Sequence, residues 1–305
     1  MDEIQKMLLA QVADLHGIPA GAYNIRANGQ GAGRATTANI DIVTKSDKQG
    51  IDIYIKEQTK NQSVHIPVVL SVSGLTEMVY NDFYIGKDCD ITIIAGCGIH
   101  NSGDDTSRHD GIHTFHVEEN SHVRYVEKHY GSGDGNGKRI MNPQTVAHVG
   151  IGSTLEMETV QIRGVDSTER STTADLDDNA TLIITEKLLT HGQQSAKTSF
   201  AVSLNGEHSS ANVISRSVAR DHSTQHFFAK VDGNNLCHGH SECDAIIMDQ
   251  AKISAVPEIN ANHPDASLIH EAAIGKIAGE QLIKLMTLGL SEKEAEEQII
   301  RGFLK

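Results

Sequence analysis

The densest set of metal-binding groups in this 305-residue chain is Asn235-Leu236-Cys237-His238-Gly239-His240-Ser241-Glu242-Cys243-Asp244. Two thiols and two imidazoles so close together are suitable ligands for iron or zinc. The cysteine spacing is wider than the two residues usual between paired ligands of zinc ribbons. In a strand, Cys237 and Cys243 share a face but stand about 20 Å apart. Bringing them together takes a turn at His238-Gly239-His240; otherwise each finds its co-ligands elsewhere. A second candidate pair is His270 and Glu271, where a β pattern gives way to a helical one and side chains can project into a shared site. The plainer reading is that Glu271 complements the positive end of a helix. A third is Ala95-Gly96-Cys97-Gly98-Ile99-His100, in which Cys97 and His100 flank a glycine turn, followed by His109, His113 and His116. Alternation puts His113 and His116 on opposite faces, and ordinary loop histidines are the alternative there. Cys89, within CDITIIAG, reads as a buried core group.

The whole-chain composition narrows what such groups can serve. There are 26 Lys plus Arg against 40 Asp plus Glu, a formal charge of −14. A surface that acidic repels phosphate backbones and anionic lipid heads, which argues against nucleic-acid and membrane-surface roles. No run approaches the roughly 20 apolar residues that span a bilayer. The start, MDEIQKMLLAQVADLHG, carries early acids and no small-residue cleavage site, so a cytoplasmic protein is expected. Four cysteines are too few for a disulfide framework, and the cytosol keeps them reduced. No G-x-x-x-x-G-K-[ST] loop is present, so the chain is not expected to hydrolyse ATP itself. Gly29-Gln30-Gly31-Ala32-Gly33 follows no clear strand and opens no helix, which weakens a dinucleotide reading. Neither a G-x-S-x-G elbow nor an H-E-x-x-H helix occurs.

The elements that must position these residues are mostly strands. Asp2 to Leu15 reads as a short helix, with Ile4, Leu8, Val12 and Leu15 on one face and Gly17 and Pro19 beyond its end. From about Ala35 to Pro264, short alternating runs such as IDIYIKE, HVRYVEKHY and TLEMETVQI are separated by Gly, Asn, Asp and Ser. The runs repeat: Asn120-Ser121-His122-Val123 resembles Gly152-Ser153-Thr154-Leu155 and Asn179-Ala180-Thr181-Leu182, with a weaker echo from Gly206. The starts lie 32, 27 and 27 residues apart. The same form returns at Asp249 to Ile253 and at Asp265 to Leu268. Such self-similarity points to stacked coils or blades, and scarce aromatics with no propeller signature favour a solenoid. A solenoid's open ends need caps, for which the N-terminal helix and the C-terminal segment are candidates.

The last 40 residues read as helical. Ile274, Ile277, Leu282, Leu285 and Met286 form a stripe, Gly289 is a stop, and Ser291-Glu292-Lys293-Glu294 is a capping box for a second helix. This helix–turn–helix module is either a cap on the β domain or a docking surface for another protein.

His270-Glu271-Ala272-Ala273-Ile274-Gly275-Lys276-Ile277, with Glu280-Gln281-Leu282, Gly289-Leu290-Ser291-Glu292, Ala295 and Gly302-Phe303, resembles the end of the SufB/SufD family of iron–sulfur cluster assembly scaffolds. Leu288 stands where the family pattern has Arg. Cys243-Asp244-Ala245-Ile246-Ile247-Met248 is similar to a segment of the SufB branch. The resemblance covers about residues 35–305, most strongly the last 70, and resembles compact single-copy members. It implies a right-handed parallel β-helix with an all-β core, flanked by helical regions, the C-terminal one contacting SufC, an ABC-type ATPase. It further implies cluster assembly at positions matching Cys243 and Glu271, a dimer-interface histidine matching His270, and a homodimer filling both branch roles. Cys237-His238-Gly239-His240 and Cys97-Gly98-Ile99-His100 depart from the SufB pattern.

The expected organisation is an N-terminal helix and lead-in over 1–34, a β-helix core over 35–265 and a C-terminal ATPase-docking module over 266–305. The expected function is a non-catalytic scaffold on which a transient iron–sulfur cluster is built at a subunit interface and passed to apo-proteins, with a cysteine desulfurase or other donor as the source of sulfur. The metal-site residues are Cys243, Glu271 and His270, then Cys237, His240, His238 and Cys97. Mixed thiolate, imidazole and carboxylate ligation suits a cluster that must be released. The rival readings are a structural SufD-like partner without a cluster, and a carbohydrate-active β-helix enzyme. The latter needs paired carboxylates, and the absence of Trp weakens it.

Overall fold

The computed structural model describes residues 1–305. Alternation of apolar and polar residues in runs of about ten gives strands buried on one face, which stack in parallel into a β-solenoid of about eight turns. The turns contribute strands alternately to two ten-stranded sheets. The inward side chains of both sheets build one core of 37 buried residues, running from Ala22 to Cys243.

The turns stack as well as the strands. Asp88, Asn120, Gly152 and Asn179 each adopt a left-handed backbone at the same corner, where short polar side chains or glycine are tolerated. The amide of Asn120 donates to the Ile151 carbonyl (2.9 Å), and that of Gly152 to Asp178 (2.9 Å). The residue after each of these points inward and must be small: Cys89, Ser121, Ser153 and Ala180. The next corner residue is His208, followed by Ser209, so the echo at Gly206 is out of register by two. At the following corner the inward residue is Cys237. The repeat at Asp249 belongs to a second column of corners, with Asp221 and Gly192.

Strands extend past both bounds expected for the core. The first is Ala22–Ala27, paired antiparallel with Gln30–Ala35, and the last is Ser267–Gly275. The latter segment, expected within the helical module, pairs in parallel with His238–Ile247 along its whole length. Its alternation continues the sheet, and that ladder outweighs the helical spacing of its apolar residues.

Three helices flank the solenoid. Helix α1 (Glu3–Ala13) begins with a capping box between Asp2 and Gln5 and buries Leu8, Leu9 and Val12 against the first coils. Gly96 and Gly98 make room for it: a Cβ on Gly96 would lie 2.6 Å from the Val12 carbonyl oxygen, and one on Gly98 3.0 Å from Leu8 Cβ. These glycines therefore form no turn; both lie within the strand Asp90–His100. Helix α2 (Gly279–Thr287) has no buried residue, and helix α3 (Glu292–Phe303) packs Ile300 on Val218 and Ile246. This module sits on the flank of the coils. The end strands Lys252–Ala261 and Ser267–Gly275 keep Val256, Ile259, Ile269 and Ile274 exposed. No helix is long and apolar enough to cross a membrane.

Candidate functional site

Most of the predicted ligands gather on the last two strands of one sheet, but on two faces of it. Parallel pairing sets His240 beside Ile269, Ser241 beside His270, Glu242 beside Glu271 and Cys243 beside Ala272. Successive side chains alternate across a sheet. Cys243 and His270 thus face the solenoid interior, while His238, His240, Glu242 and Glu271 face outward. The turn that would have brought Cys237 to Cys243 does not form, because His238-Gly239-His240 opens a regular strand. Both thiols point inward, about 20 Å apart along the chain direction.

On the outer face, His240, Glu242 and Glu271 each place a ligand atom within 4.8 Å of the others. His240 Nε2 lies 3.2 Å from Glu271 Oε2, and its Nδ1 lies 3.0 Å from Asn212 Oδ1. The amide oxygen orients the ring and leaves Nε2 for a metal, as supporting groups commonly do around ligating histidines. Burial and the neighbouring Asp244 push the Glu242 carboxyl above its ordinary range. A cation arriving there would relieve that repulsion.

On the inner face, the Ser241 hydroxyl is 2.7 Å from His270 Nδ1, while Nε2 is buried with no partner. Burial, then the nearby His240, lower the affinity of His270 for a proton, so its imidazole is neutral and able to ligate. Cys243 lies one strand away and two residues along, about 8 Å between backbones. Burial, then Glu186 and Asp244, push its thiol up to about 12. Binding iron there must release the thiol proton, so loading is coupled to deprotonation. Glu271 heads no helix, since Gly279 opens α2; its surroundings are those of an outer-face ligand.

Cys97 stands apart. Its strand is five steps from that of Cys243 in the same sheet, about 24 Å. Buried polar groups lie between the two regions. Arg170 is hydrogen-bonded to Glu127, with Glu186 Oε1 3.9 Å away. Thr198 Oγ1 (2.9 Å) and Ser215 Oγ (2.6 Å) donate to Glu186, and Ser215 stands beside Cys243 in register. Sequence reasoning missed this file. Its signal was parity: Glu127 falls on the inward side of its strand with Val123 and Tyr125, and Glu186 with Leu182 and Ile184.

A parallel β-solenoid whose final coil carries thiol, imidazole and carboxylate groups on both faces of one strand pair has the form of a metal-handling scaffold. Residues 78–303 match the family described as "SUF system FeS cluster assembly, SufBD core domain". The chain belongs to the SufBD family, and its role lies in iron–sulfur cluster assembly. It is similar to the "iron-sulfur cluster assembly SufBD family protein" of Archaeoglobus fulgidus, with 28% identity over 85% of this chain and 70% of that protein. A relative of the same description from Methanothermobacter thermautotrophicus is 28% identical over 75% of this chain and 55% of its own length. One from Methanocaldococcus jannaschii is 25% identical over 79% and 76%.

Proposed function

We propose that this protein is a scaffold on which an iron–sulfur cluster is built as cargo and passed to apo-proteins, working with an ABC-type ATPase of the SufC kind. The observation that carries this reading is the final strand pair, with Cys243 and His270 on its inner face and His240, Glu242 and Glu271 on its outer face. The thiol binds iron firmly once deprotonated, while imidazole and carboxylate exchange more readily, a set suited to holding and releasing. This strand pair lies at the solenoid's uncovered end, where the exposed apolar residues and free strand edge suit closure by a second copy. Groups from two copies then complete a site that neither copy encloses alone. Helix α2 and the Leu288 that follows it present Ile283, Met286 and Leu288 to solvent, an apolar face fit for the ATPase. ATP-driven motion acts on the cargo by favouring one of two arrangements of the dimer. Sulfur comes from a cysteine desulfurase or an equivalent donor.

The test is anaerobic reconstitution with ferrous iron and sulfide, alone and with the ATPase, read by visible absorption and iron counting. Thiolate-to-iron absorption with bound iron and sulfide supports the scaffold. A second reading, a structural partner without cargo, draws on the inward, protonated Cys243. Failure to bind iron and sulfide under either condition, with the ATPase complex intact, would favour it.

A further inference from the structure

A separate group of histidines lies inside the solenoid, remote from the last coil. His109, Gly111 and His113 alternate inward along Ser107–Val117, so the missing side chain of Gly111 leaves a space between two imidazoles. A Cβ built on Gly111 would lie 2.8 Å from His113 Nε2 and 3.5 Å from His109 Nε2. Both rings thus direct Nε2 at one point. The cavity there is about 10 Å³, with Cys97, Glu127 and His129 on its wall. That is room for one water or one ion, not an organic ligand.

The groups around this point are under-used by the protein. His109 Nδ1, His113 Nδ1 and Glu77 Oε2 are buried without hydrogen-bond partners. His109 Nδ1 stands 3.7 Å from Glu77 Oε2, just beyond bonding distance. A slight turn of the ring would make Nδ1–H donate to Glu77 and leave the Nε2 lone pair facing the cavity. A carboxylate behind a histidine is the usual support of a metal ligand. Arg26 Nε already donates to Glu77 Oε1 (2.7 Å), which fixes the carboxylate. Burial holds His113 neutral, its pKa lowered to about 4, so its imidazole is free to ligate near neutral pH. Burial, then the charges of Glu77, Glu127 and Asp110, hold the Cys97 thiol well above the ordinary range.

The wall beside the cavity is also interrupted. In the neighbouring strand, Met141 pairs with His109 and Gln144 with Ile112, so Asn142 and Pro143 fall opposite Asp110 and Gly111 and break the ladder. Pro143 lines the cavity and has no amide hydrogen to give.

We infer that His109 and His113, arranged across Gly111 and with Glu77 behind His109, form an internal site for one borderline divalent ion, Zn²⁺ or Fe²⁺, toward which Cys97 on the cavity wall has to move in order to become a further ligand. Imidazole and thiol favour such ions over Mg²⁺ or Ca²⁺. The site is independent of the cluster-building strand pair and stands whether or not that reading does.

The test uses the full chain carrying His240→Ala, Glu242→Gln, Glu271→Gln and Cys243→Ser, which removes the outer-face ligands and the inner-face thiol of the last coil. This protein is equilibrated with Co²⁺ as the spectroscopic probe and with Zn²⁺, then passed through a desalting column. The expected result is one ion retained per chain, with the absorption of four-coordinate Co²⁺. Adding Gly111→Ala, whose methyl meets a movable ring atom and not backbone, should abolish retention with an unchanged circular dichroism spectrum. His113→Gln should do the same. If the last-coil variant retains no ion, or if Gly111→Ala leaves retention intact, the site is refuted. Crystals of the unmutated protein soaked in Zn²⁺ give a check that needs no variant. An anomalous peak about 2.1 Å from both Nε2 atoms supports the site, and water alone at saturating Zn²⁺ overturns it.

Discussion

Replacing Arg170 by Met tests whether the buried charges of the solenoid act as a unit. Arg170, Glu127 and Glu186 are each about 5% or less exposed. Burial alone would raise the Glu127 carboxyl, but Arg170 and His129 outweigh it and hold it well below the ordinary range. Met keeps much of the packing volume and removes the guanidinium. Glu186 retains the Thr198 and Ser215 hydroxyls, whereas Glu127 keeps only His129 Nε2 at 3.5 Å. Breaking a buried pair in this way costs about 3–5 kcal/mol. The expected loss in urea unfolding, followed by circular dichroism at pH 7, is therefore about 3–5 kcal/mol. The pH dependence has a definite sign. In the native protein the depressed Glu127 pKa contributes stability above about pH 4.3, lost as pH falls through the lower folded value. In the variant the unpaired carboxyl titrates above its unfolded value, so protonation on acidification relieves the loss. The gap between the two proteins should narrow as the pH falls from neutrality. Glu127→Gln combined with Arg170→Met should recover most of the stability, because the uncompensated charge is gone. A single variant losing less than about 1 kcal/mol, or a double variant as unstable as the single, would refute the electrostatic account.

Glu186→Gln removes a charge that raises the Cys243 thiol; its amide oxygen still accepts from one of the Thr198 and Ser215 hydroxyls while its NH2 donates to the other, and thiolate absorbance should then titrate at lower pH. Ser291→Ala removes the cap of α3, where Ser291 Oγ accepts from the Glu294 amide at 3.3 Å. It should cost about 0.5–2 kcal/mol locally, read as faster hydrogen exchange over 292–303, and should weaken ATPase binding. Val256→Glu on the uncovered end should weaken self-association at least about tenfold, or about 1.4 kcal/mol, by sedimentation equilibrium. An unchanged dimer would place the contact elsewhere.

The solenoid was legible in the sequence because a period of two and a recurring corner leave local marks. Asn120, Gly152 and Asn179 each head a small inward residue and then a strand, and the structure stacks all three. The same rule explains Cys89 and Cys237, which occupy the small corner position with Ser121 and Ser153. Their spacing to other ligands carried less information than their place in the repeat. Ser267–Gly275 was misread because its apolar residues fit helical spacing, and only the strand beside it selects the extended form. The division of Cys243 and Glu271 between two faces was hidden for a related reason. Side-chain direction depends on register between strands, which neither strand's sequence reports alone. The buried Glu127, Arg170 and Glu186 were overlooked because charged residues are rarely inward unless paired, and their pairing joins different coils.

The central claim is that both faces of the final strand pair hold the cargo. It is tested most directly by anaerobic iron–sulfide reconstitution of the native chain, Cys243→Ser and Glu271→Gln, each with the ATPase present and bound. The account predicts that Cys243→Ser abolishes the thiolate-to-iron absorption. Glu271→Gln should lower the iron bound per chain while the ATPase complex stays intact. Undiminished cluster in Cys243→Ser would contradict the account and move the cargo away from this strand pair.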